Sequence, residues 1–123
     1  MRTISDAPYE LADAVREFWP PEEWNNAVSI AYLESGWDAF AVNDSVDSEH
    51  PCGTVIRIQN GVAVAAERSV GFFQINSCNF PSWEWQRLYN ARHNAGTAHL
   101  LWVNAGMRWS GPWFFSAQQL GLD

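Results

Sequence analysis

Lysine is absent from this chain: its seven basic residues are all arginine and stand against fourteen acidic ones, for a formal charge of −7. A surface of that sign excludes nucleic acid as a partner, because phosphate binding needs a basic face, and it argues equally against an anionic membrane. Long hydrophobic runs are missing as well. No stretch approaches the roughly 18 apolar residues of a membrane span, and the N-terminus lacks the charged-then-apolar pattern of a secretory leader. Neither membrane insertion nor a signal peptide is therefore expected. Cysteine is scarce, with Cys52 and Cys78 alone. Two are too few for a disulfide framework and are wrongly spaced for zinc, so no metal or other cofactor is expected. Whether they form one bridge depends on the redox compartment and stays open.

What is present is apolar and aromatic. Hydrophobic residues make up 47% of the 123 positions, a proportion that supports one folded domain over residues 1–123 with a core of its own. The eight tryptophans have two readings, core packing or flat faces of the kind that stack on sugars, and their number does not choose between them.

Hydrophobic spacing gives the elements. Ser5 and Asp6 are N-cap types ahead of Leu11, Val15 and Phe18, which recur at helical intervals until Pro20 and Pro21. A second helix opens on Pro21, Glu22 and Glu23, continues through Ala27, Val28 and Ala31 and stops at Gly36. "NDSVDSEHP", from Asn43, reads as a loop. The period then changes: Val55, Ile56 and Ile58 precede Asn60-Gly61, and Val62 and Val64 follow, a hairpin signal because Asn-Gly suits a type I′ turn. "SVGFFQINS", residues 69–77, is a candidate third strand. Ser82 can cap a short helix, and Asn90 a longer one with Ala91, Ala95, Ala98 and Trp102 on one stripe. The tail, from Trp109 through Gly111 and Pro112 to Trp113, reads as a compact turn folded over the body. The fold class is α+β: a mainly helical body with a small antiparallel hairpin sheet as a side wing and a cleft between them.

One residue disturbs this pattern. Counting back from Glu34 by three, four and seven gives Ala31, Ile30 and Ala27, so a carboxylate projects from the apolar stripe of the second helix. It stands in the last turn, where unpaired carbonyls oppose a second negative charge, and Ile30 and Trp37 are placed to desolvate it. Both effects raise a carboxyl pKa, and a protonated carboxylic acid is what general-acid chemistry on a poor leaving group needs. An isolated glutamate near a helix end is more often a solvated side chain, so Glu34 needs support from elsewhere in the chain.

That support comes from a resemblance. "ESGW" at 34–37 followed by "SVGFFQINS" at 69–77 resembles the lysozyme-like superfamily of goose-type and c-type lysozymes, lytic transglycosylases and phage cell-wall lysins. "WQRLYNARHNAGTAHLLWVNAGMRWSGPW" is similar to the helical stretch that closes the fold in phage lysins, with Asn94 matching the family asparagine. Together the matches span roughly residues 24–116. The resemblance implies a monomeric lysozyme-like domain that cleaves the bond between N-acetylmuramic acid and N-acetylglucosamine in peptidoglycan glycan strands. Glu34 is then the catalytic acid, and Gln74 and Asn76 bind sugar, with Trp109 and Trp113 as a stacking wall. Where c-type lysozymes carry a second acid, this chain has Ser69; Glu67, one strand period earlier, and Asp47 are the alternative second carboxylates. Ser69 favours lytic transglycosylase chemistry over simple muramidase hydrolysis. Lacking a leader, such an enzyme would be made in a bacterial cytoplasm and reach the wall as a phage lysin or virion component. The rival expectation is a catalytically silent glycan-binding or phage structural module.

Overall fold

A computed structural model describes residues 1–78 and 80–123, and of Ser82 only the backbone, so the expected Ser82 cap lies outside what is described. Five helices, α1 (Tyr9–Phe18), α2 (Trp24–Ser35), α3 (Ser82–Leu88), α4 (Ala91–Asn104) and α5 (Phe114–Leu120), accompany five short strands. These are β1 (Val42–Asp44), β2 (Val55–Gln59), β3 (Val62–Ala65), β4 (Arg68–Val70) and β5 (Ile75–Asn76). The fold is mixed α+β, as expected, but with two small antiparallel sheets and not one: β1-β4-β5 and β2-β3.

Helix α1 starts later than Ser5 and Asp6 suggest. Ala7 precedes a proline and takes the extended conformation that prolines impose on the residue before them (ψ 154°), so the helix begins beyond Pro8. Asp6 accepts a bond from Thr3 Oγ1 in a separate short turn. Leu11, Ala14 and Val15 are buried on one stripe of α1, and Ala27, Val28, Ile30 and Ala31 are buried on α2. Gly36 ends α2 in the left-handed region (φ 63°), returning its amide to the Tyr32 carbonyl at 2.8 Å.

The β2–β3 hairpin forms where expected, with both turn residues at positive φ, Asn60 at 52° and Gly61 at 77°, as a type I′ turn requires. The 69–77 stretch is not one strand. It reverses between β4 and β5, so that Ser69 faces Asn76 and Val70 faces Ile75. Of the segment from Asn43 to Pro51 expected as loop, residues 45–51 are loop, but Asn43 and Asp44 join Val42 in the edge strand β1, with Val42 opposite Val70 and Asn43 opposite Ser69. The tail also departs from expectation. After the turn at Trp109–Trp113 it forms α5, whose Ser116 and Ala117 are buried.

The β4–β5 reversal is held from below by Asn94, which is fully buried at the start of α4. Its Oδ1 accepts from Phe73 N at 2.9 Å, and its Nδ2 donates to the carbonyls of Val70 and Leu88, each at 2.9 Å. Gly71 is required twice at this point. Its φ is 81°, and a Cβ there would stand 2.3 Å from Asn94 Nδ2 and 2.4 Å from the Leu88 carbonyl. The aromatic excess mostly completes this core: Trp19 lies 5.4 Å from Phe73 and 5.6 Å from Trp109, between ring centroids, and Trp113 lies 5.9 Å from Phe73.

Cys52 and Cys78 are joined, with Cα atoms 5.8 Å apart. The bond ties the loop before β2 to the chain just after β5, anchoring the wing at its base.

Two stability measurements test this frame. Asn94→Ala strands one buried donor and two buried acceptors and should lower the unfolding free energy by about 3 kcal/mol or more in urea titrations. A loss below about 1 kcal/mol would mean the reversal is held by packing alone. Reducing the Cys52–Cys78 bond, which closes a loop of 26 residues, should lower stability by about 3 kcal/mol on the loop-entropy estimate.

Candidate functional site

Glu34 lies in the last turn of α2 and is half-buried. Its Oε2 accepts a short hydrogen bond from Ser116 Oγ on α5. Burial pushes its carboxyl above the ordinary glutamate range; the Ser116 bond opposes that rise, and the nearby charge of Glu67 adds to it. Trp37 donates Nε1 to the Val28 carbonyl and sets its ring 5.1 Å from Tyr32, and Tyr32 lies about 200° around the helix from Glu34.

Directly opposed residues in an antiparallel sheet share a face, so Asn43, Ser69 and Asn76 form a polar row across β1, β4 and β5. Glu67 lies one strand period before Ser69 on the same face, and Ser69 Oγ donates to its Oε1 at 3.1 Å. The sheet thereby brings the expected pair of Glu67 and Ser69 together, and Glu67 is near enough for its charge to act on Glu34. A cleft of about 330 Å³ follows this face, bounded by Asn43, Ser45, Glu67 and Ser69 and overhung by Ile56 and Arg57 of the wing.

Three other expected residues are placed differently. Trp109 and Trp113 are only 3% and 4% exposed and offer no face for stacking. Their indole nitrogens bond inward, Trp109 to Glu23 Oε2 and Trp113 to the Phe73 carbonyl, each at 2.8 Å. Their apolar rings are worth more in the core than in a wall. Asp47 is turned away into its own loop, capping the amides of Glu49 and His50 and bonding the His50 ring at 3.0 Å. The backbone bond from His50 holds its carboxyl below the usual aspartate range.

Gln74 reaches the site but as a brace. Held at φ 50°, it donates both amide hydrogens to backbone carbonyls, Ala41 at 3.1 Å and Gly71 at 3.0 Å. Its Oε1 accepts from Asn43 Nδ2 at 2.6 Å. With its donors engaged, it fixes Asn43 through that bond. Asn76 is exposed; its Oδ1 accepts the Cys78 amide at 3.0 Å, and its amide hydrogens have no protein partner among the described residues. Asn43 and Ser116 are the two site residues that sequence reasoning missed. Asn43 was hidden in an apparent loop, and Ser116 in a tail with no visible helical stripe.

A larger concavity, about 900 Å³, lies elsewhere, between α1, Phe40 and the α3–α4 junction. None of the site residues lines it. Among the described residues no cluster of three or more His, Cys, Asp or Glu side chains could hold a metal ion, and no helix is long and apolar enough to cross a membrane. No protein-family model, no curated protein and no solved structure matches the chain.

The raised Glu34 carboxyl has a consequence for stability. A folded-state pKa above the unfolded value means the folded chain keeps a proton that the unfolded chain releases, so stability falls as pH rises through that window and stays lower above it. Glu34→Gln, which cannot ionise, should therefore unfold at higher urea than the parent near pH 7, with the gap closing below about pH 4, where both chains carry no charge at this position. A gap independent of pH would contradict the assignment.

Proposed function

We propose that the chain is a lysozyme-like peptidoglycan-cleaving enzyme that breaks the β-1,4 bond between N-acetylmuramic acid and N-acetylglucosamine. The observation that carries this reading is a half-buried carboxyl, held by Ser116 and raised by burial, near enough to a second carboxylate, Glu67, to feel its charge, with Glu67 bonded in turn to Ser69 of the polar row Asn43, Ser69 and Asn76. Ordered matches at 34–37 and 69–77 to the lysozyme-like pattern support it independently.

In this reading Glu34 gives its proton to the bridging oxygen as the bond to the sugar's anomeric carbon breaks and that carbon takes on oxocarbenium character. The resulting Glu34 carboxylate then takes the proton of the attacking hydroxyl. That hydroxyl is the sugar's own 6-OH in lytic transglycosylase chemistry, closing a 1,6-anhydro ring, and a water in muramidase chemistry. Ser69, standing where a second acid would be expected, favours the first route; Glu67 then acts by its field on Glu34 and by orienting Ser69. Asn43 and Asn76 present a carbonyl and an amide to the hydroxyl and acetamido groups of the glycan. The enzyme acts as a monomer on the wall and reaches it as a phage lysin or virion component.

Purified peptidoglycan tests this directly. Glu34→Gln should lower turnover about a hundredfold or more, the usual contribution of a positioned general acid; near-parental turnover would refute the role. Mass spectrometry of the parent's products should find glycan ends lighter by one water than hydrolysed ends. Water-added ends alone would assign the muramidase route.

A further inference from the structure

We propose that Ser116 is a positioning residue for Glu34: its hydroxyl occupies Oε2, which leaves Oε1 as the oxygen that carries the transferable proton. This deepens the function proposed above and rests on it. Ser116 is 5% exposed and lies in the buried stripe of α5 beside Ala117, so its hydroxyl has little access to water. The partner it has is Glu34 Oε2. A hydroxyl that donates to one carboxyl oxygen disfavours a proton on that same oxygen and directs it to the other. The proton therefore leaves from Oε1 to the bridging oxygen, and Oε1 recovers one from the attacking hydroxyl. The Ser116 proton stays on its own oxygen throughout and stabilises the carboxylate between the two transfers.

The same helix reaches the opposite wall. Trp113, at the N-cap of α5, donates Nε1 to the carbonyl of Phe73 within the β4–β5 reversal. Helix α5 thus contacts both the end of α2, through Ser116 and Glu34, and the β4–β5 reversal, through Trp113 and Phe73. Among the described residues, neither α5 nor β5 contains an ionisable side chain, the last turn of α2 adds only Tyr32, about 200° around the helix from Glu34, and Glu67, from the segment before β4, is the charged neighbour that acts on it.

The test is a carbon-13 NMR titration of the Glu34 carboxyl in the parent, Ser116→Ala and Ser116→Cys proteins, paired with turnover on soluble glycan fragments. Loss of the donor should move the Glu34 titration to higher pH in Ser116→Ala, with Ser116→Cys, a weaker donor, between it and the parent. On glycan, Ser116→Ala should lower kcat about tenfold at nearly unchanged KM, the mark of a contribution made in the transition state. The alkaline limb of its pH profile should move upward. A Glu34 titration unmoved in Ser116→Ala, or a lower kcat with the pH profile fixed, would overturn the positioning role. A parent that cleaves no glycan overturns the function proposed above, while the titration still decides the part played by Ser116.

Discussion

The site depends on one buried side chain that never reaches it. Asn94 fills the underside of the β4–β5 reversal and satisfies one amide and two carbonyls that would otherwise be buried without partners. Because those groups belong to Val70, Phe73 and Leu88, a single amide joins the small sheet to the turn between α3 and α4. Gly71 permits the approach by having no Cβ, and the reversal then brings Asn76 opposite Ser69. With the reversal fixed, Gln74 can brace β1 through Ala41 and Asn43, completing the polar row. Rigidity is thus built beneath the sheet, and on its other face the exposed Asn43 and Asn76 flank the buried Ser69.

At Glu34 the constraint is electrostatic. Glu34 is held by burial in a state that resists ionisation, and Glu67 adds a like charge, while Ser116 offsets part of both effects. An acid that must release and recover a proton benefits from such opposition, because neither the protonated nor the charged form becomes a trap. The net charge of −7 adds no long-range attraction for an anionic polymer. In the proposed function, short-range contacts in the cleft would then supply the binding, and moderate salt should affect it little.

Much of this was legible in the sequence where the signal was local. The α2 stripe with Glu34 on it, the Asn60-Gly61 hairpin and the Asn90 cap, whose side chain accepts from His93 N at 3.0 Å, all follow from spacing and turn chemistry. What was not legible depends on pairing at a distance. β1 has three residues and no alternation of its own; it is a strand only because β4 supplies partners. Helix α5 is short, and its aromatic start reads as turn until Trp113 has somewhere to bury. Trp109 and Trp113 were open between core and stacking wall because sequence carries residue type and not the direction a ring faces. Gln74 shows the same limit in polar form: its identity was readable, but its use as a brace follows from the carbonyls that surround it.

In the function proposed above, the polar row of Asn43, Ser69 and Asn76 beside Glu67, and no other surface, receives the glycan. Nitrogen-15 amide shifts recorded while N-acetylhexosamine oligosaccharides are added to Glu34→Gln protein, in which any turnover should be strongly slowed, test it most directly. The account predicts shifts concentrated at Asn43, Ser69, Asn76 and the end of α2. Shifts centred instead on the larger cavity around Tyr9, Phe40 and Tyr89, or no shifts at millimolar sugar, would contradict it.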